Sequence, residues 1–104
     1  NGACLPDPFI SALLNGVTTV GMTDHLADTS TPTWTNGSFP VTLDANDSLE
    51  FAAWNWDPVL PALRMFTCVP DLDDIPTGKL HCSPRLEPGP DGPYGIDATI
   101  RKAP

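Results

Sequence analysis

The feature that most constrains this chain is an apolar repeat of two. In SFPVTLD (38–44), Phe39, Val41 and Leu43 alternate with Pro40, Thr42 and Asp44. In LEFAAWNWD (49–57), Leu49, Phe51 and Ala53 share one side, and in IDATIRK (96–102) Ile96, Ala98 and Ile100 oppose Asp97, Thr99 and Arg101. Successive side chains of a strand point to opposite faces, so this spacing suits half-buried strands and not helices. Residues 9–14 form a largely apolar run that stops at Asn15-Gly16, after which VTTVGMT (17–23) resumes with β-branched residues. That dipeptide is a strong hairpin signal. The 13 prolines in 104 residues far exceed the usual share of about 5%, and proline is poor in helix interiors. The sequence therefore predicts one all-β domain over residues 1–104, either complete in itself or part of a longer protein. Its expected form is an antiparallel β-sandwich of eight strands or fewer.

Two stretches break the rhythm. Residues 24–37 are polar and rich in turn formers, and ANDS (45–48) reads as a turn. PVLPALRMFTCVPDLDDIP (58–76) begins apolar and ends acidic, and reads as a long irregular loop with a short helical turn around 62–66. A loop of that length in a small domain is commonly functional or disordered. Residues 83–95 also read as a loop, which their Pro and Gly content explains.

The charge balance narrows the partners. Thirteen acids face five bases, for a net charge of −8, and eleven of the acids are Asp. Such a chain repels nucleic-acid phosphates, and it repels anionic lipid unless a cation intervenes. No stretch approaches the roughly 20 apolar residues of a membrane-spanning helix. Three cysteines, Cys4, Cys68 and Cys82, leave an odd count, so one disulfide plus one further thiol is the simplest arrangement. Low Lys, abundant Thr and Pro, and the sequons at Asn36 and Asn46 favour an exported protein, secreted, extracellular or periplasmic.

No catalytic constellation is legible. His25 is flanked by Asp24 and Asp28, while His81 and Cys82 are adjacent and so face opposite ways on a strand. There is no C-x-x-C, no H-E-x-x-H and no phosphate-binding glycine loop. The expectation is a non-enzymatic protein with surface histidines and structural cysteines.

One strand end stands out. Asn55 and Asp57 continue the side of Leu49, Phe51 and Ala53, so two oxygen-bearing side chains sit where the core face meets the rim. Calcium takes roughly six to eight oxygens from such groups. Asp7, and the run Asp71, Asp73 and Asp74, are candidates for the remainder. The structural alternatives are turn initiation by Asp7 and Asp57, each before a proline, and a solvated acidic loop at Asp73 and Asp74. Trp54 and Trp56 fall on the opposite side, as a cover for the sheet or a contact patch. Val59, Leu60, Leu63, Met65 and Phe66 are either lipid-inserting or a satellite cluster folded back on the sheet.

Several of these stretches, in order, resemble the C2 domain, a calcium- and phospholipid-binding β-sandwich. LPDPFISALLNG (5–16) is similar to that family's D-P-[YF] stretch, and TSTPTWTNGSFPVTL (29–43) to its T-x-N-P-x-W-N-x-x-F stretch. DSLEFAAWNWD (47–57) resembles its strand ending in V-x-D-x-D, and DDIPTGKL (73–80) its D-D-x-I-G close. The resemblance implies calcium as cofactor, with Asp7 in a first loop and Asn55, Asp57 and Asp74 in a third, Asp73 beside them. It implies docking to a phospholipid surface or a protein partner, with Trp54, Trp56, Leu63, Met65 and Phe66 as the contact surface. Under the family geometry Cys4 pairs with Cys68, with Cys68–Cys82 as the alternative. Two departures stand out: Asn55 occupies a position where the family carries Asp, and the family's first strand has no counterpart. The expected function is a calcium-binding C2-like module for membrane or protein association. The alternative is a calcium-independent interaction or structural domain of a larger secreted or surface assembly.

Overall fold

The Asn15-Gly16 signal builds the hairpin it predicts. In a computed structural model describing residues 5–29, 32–34, 38–83 and 95–101, strands β1 (Pro8–Leu14) and β2 (Thr18–Met22) pair antiparallel. Between them Asn15 and Gly16 both adopt positive φ, and the Val17 N–H donates to the Leu14 carbonyl. Two consecutive left-handed residues are what a type I′ turn requires, and Asn and Gly tolerate them best. The Asn15 side chain also accepts from the Ser48 N–H and donates to Asp47, which ties this turn to the next one.

Beyond β2 the chain continues in the same direction past the start of β1. The N–H groups of Thr23, Leu26 and Thr29 donate to the carbonyls of Ile10, Pro8 and Pro6. On its other side β1 pairs along its whole length with β3 (Leu49–Asn55), and β3 pairs with β4 (Leu63–Cys68), giving the order β2-β1-β3-β4. A 3₁₀ turn (Leu72–Thr77) leads into β5 (Lys79–Cys82), which pairs with β6 (Ile96–Thr99) in a second, two-stranded antiparallel sheet.

Register sorts the side chains. Opposite pairs Ala12–Phe51, Ile10–Ala53 and Leu14–Leu49 lie on the core side of the larger sheet, and Cys68 lies opposite Phe51. From the smaller sheet Leu80, Cys82 and Ile96 join them in one buried cluster. Ala98 and Ile100 pack against it, as the alternation in 96–102 predicts. The Cys68–Cys82 disulfide runs through this cluster and links the two sheets, both cysteines being almost fully buried. This corrects the pairing of Cys4 with Cys68: both Cys68 and Cys82 face the core across from each other. Cys4 lies outside the described residues.

Two further expectations need correction. Residues 38–44 are not a strand, although their alternation survives: Phe39, Val41 and Leu43 are half-buried while Pro40, Thr42 and Asp44 are exposed. Pro40 has no N–H for a ladder, and the stretch is held by side chains instead. The Phe39 ring lies so close on Gly21 of β2 that a Cβ there would sit 2.1 Å from its Cδ1. The helical turn expected around 62–66 is instead the edge strand β4, whose pairing with β3 carries a register shift between Ala53 and Trp54. Met65 is the extra residue, and such bulges twist an edge and re-aim its side chains.

Candidate functional site

The rim at the end of β3 is built by the backbone. The Asn55 Oδ1 accepts from the Asp7 N–H at 2.9 Å, and the Trp56 N–H donates to the Asp7 carbonyl. Asp7 Oδ1 accepts from the Asp28 N–H at 2.8 Å. Asp57 Oδ1 accepts from both Val59 and Leu60 N–H groups at 2.8 Å, and these bonds, Leu60's first, hold its carboxyl below the usual value of 3.8. Asp71 caps the 3₁₀ turn by accepting from the Asp73 N–H, and Asp73 and Asp74 occupy its first turn. Each of these bonds satisfies a backbone donor in a loop or at the end of an element.

The structure thus brings Asp7 and Asn55 into contact but places Asp73 and Asp74 on the turn that packs against β5. Among the described residues no three His, Cys, Asp or Glu side chains gather as a metal site would require. Of the residues singled out for calcium, only Asp7 and Asn55 share a hydrogen bond.

The expected contact residues divide in two. Trp54 is half-buried, stacked on Phe9 at 6.1 Å, with its Nε1 donating to Ser11 Oγ at 2.9 Å. Phe66 packs against the core. Both support the sheet. Trp56 lies past the end of β3, stacked on His25 with ring centroids 3.9 Å apart. Leu63 and Met65 are 70% and 42% exposed, and Val59 and Leu60 before them 86% and 65%. The satellite cluster expected for these side chains is not folded back. They stand in solvent along the start of an edge strand.

Sequence reasoning missed a polar face on the smaller sheet. Lys79 and His81 point away from the core, because Leu80 and Cys82 point into it. His81 lies opposite Asp97, and its Nδ1 is 2.6 Å from Asp97 Oδ1 while its Nε2 is 3.2 Å from Ser83 Oγ. Reading Leu80 and Cys82 as an inward pair would have placed His81 and Ser83 on one outward side. The outward position of Asp97 was already legible.

No protein-family model matches the chain, and no curated protein or solved structure is significantly similar to it.

Proposed function

We propose that this protein is a calcium-independent interaction module that docks through the start of β4 and the apolar segment leading into it. The observation that carries this reading is the exposure of Leu63 and Met65 on an edge strand and of Val59 and Leu60 in the segment before it. Among the described residues no strand lies beyond β4, and a sheet edge with apolar side chains beside it can take an added strand. The net charge of −8 disfavours a second copy and favours an extended segment bearing Lys or Arg. The reading without calcium is supported by the absence, among the described residues, of any cluster of three His, Cys, Asp or Glu side chains. The two sheets around one core are read as a reduced β-sandwich, and the disulfide suits a secreted or surface location. No helix among the described residues is long and apolar enough to cross a membrane.

The test is selection from a displayed peptide library against the immobilised protein in chelator. Enriched peptides should alternate apolar residues, carry Lys or Arg, and lose binding to Leu63→Lys and Met65→Lys variants. No enrichment, or peptides that bind those variants equally well, would overturn the reading.

A further inference from the structure

The outward face of the smaller sheet holds three side chains in the order of an acyl-transfer relay. Asp97 is on β6, His81 is opposite it on β5, and Ser83 follows His81 by two residues. The carboxylate can only accept, so the 2.6 Å contact places the proton of the neutral imidazole on Nδ1. Nε2 is then the acceptor, and it faces the Ser83 hydroxyl at 3.2 Å. Each nitrogen has the partner that general-base activation of a serine needs. The ring lies over Gly95: a Cβ there would lie 2.9 Å from His81 Cε1, so a side chain at 95 would push the ring aside. An open groove of about 650 Å³ begins at His81 and Asp97 and is walled by Asp74, Thr77, Lys79 and Thr99.

We propose that Ser83 is a nucleophile, activated by His81 and positioned through Asp97, that accepts the acyl group of short-chain carboxylic esters. The inference stands apart from the docking edge on β4. Ser83 Oγ bonds to the ester carbonyl carbon as its proton passes to His81 Nε2. The ester C–O bond then breaks, and the departing alkoxide takes that proton and leaves as alcohol. Water adds to the acyl-serine, delivering a proton to His81, and the carboxylic acid departs as Ser83 recovers its hydroxyl. His81 and Asp97 have side chains 61% and 85% exposed. A site so open to water favours an ester, whose leaving group departs readily, over an amide.

A biotinylated fluorophosphonate tests this directly, because the serine oxygen displaces fluoride from phosphorus, its proton leaving with the fluoride as HF, and stays covalently marked. The full chain with its disulfide intact should gain one adduct, mapped to Ser83, and hydrolyse p-nitrophenyl acetate. Ser83→Ala should abolish both. His81→Gln should slow labelling about 100-fold, as loss of a general base does. Asp97→Asn should lower the limiting labelling rate without changing the half-saturating probe concentration, with partial recovery in Asp97→Glu. Gly95→Ala should slow labelling by pushing the ring aside. All variants are checked for an unchanged melt. Absence of an adduct, an adduct that persists in Ser83→Ala, or wild-type labelling in His81→Gln would overturn the proposal.

Discussion

Two polar regions of this molecule use aspartate in different ways. At the end of β3, the oxygens of Asp7, Asn55 and Asp57 accept from backbone N–H groups. On the outward face of the smaller sheet, Ser83, His81 and Asp97 bond to one another. The first arrangement completes strand ends that would otherwise leave donors unpaired. The bonds of the second run between side chains, and its His81 and Asp97 line a groove. The first set of side chains fixes the backbone, whereas the second set contacts its own members.

Both regions hang from one core, so the largest expected effect erases the contrast. Phe51→Ala empties a buried site and should cost about 3–5 kcal/mol, loosening rim and outward face together in amide exchange. Opening the Cys68–Cys82 link, separated by 14 residues, should cost about 3 kcal/mol. That loss lowers the melt by more than about ten degrees. Here the regions should part: exchange in β5 and β6 rises before exchange in β1 and β3, and simultaneous loss would mean the smaller sheet is not held by the bridge.

Side-chain removal sharpens the comparison further. Asn55→Ala strands the Asp7 N–H and should destabilise by about 1–2 kcal/mol in a denaturant titration. Ser83→Ala should change stability by about 0.5 kcal/mol or less, because its bond supports no backbone. Equal costs would break the distinction between the regions. The smallest effect is acid-dependent. The Asp57 pKa is held below 3.8 in the folded chain by the Leu60 and Val59 N–H groups, so its contribution is present above that pH. It is lost as pH falls through the lower folded value, and Asp57→Asn should flatten that part of the acid melt.

The parts of the fold that were legible in sequence are those where local pattern and packing agree. Asn15-Gly16 makes the turn, and Leu49, Phe51 and Ala53 face the core. Residues 38–44 keep their alternation in burial without a ladder, because alternation reports side-chain environment and not hydrogen bonding. β4 was missed because the extra residue at Met65 breaks its period, and because its first half is apolar yet exposed. At the rim the N–H partners of Asp7, Asn55 and Asp57 were not legible, because a strand-end Asn or Asp offers the same oxygen to an N–H or to a cation. Ser83 escaped notice because the strand before it is only four residues long, Lys79–Cys82.

Central to the proposed reading is that the rim oxygens serve the backbone without a cation. Thermal melts in chelator, in calcium and in magnesium, each ion at up to about 10 mM, well above the range of extracellular calcium sites, test it most directly. A site filled to 100 times its dissociation constant would add roughly 2.7 kcal/mol, a rise of several degrees. The account predicts superimposable melts in all three conditions. A calcium-specific rise that disappears in Asp57→Ala would contradict it.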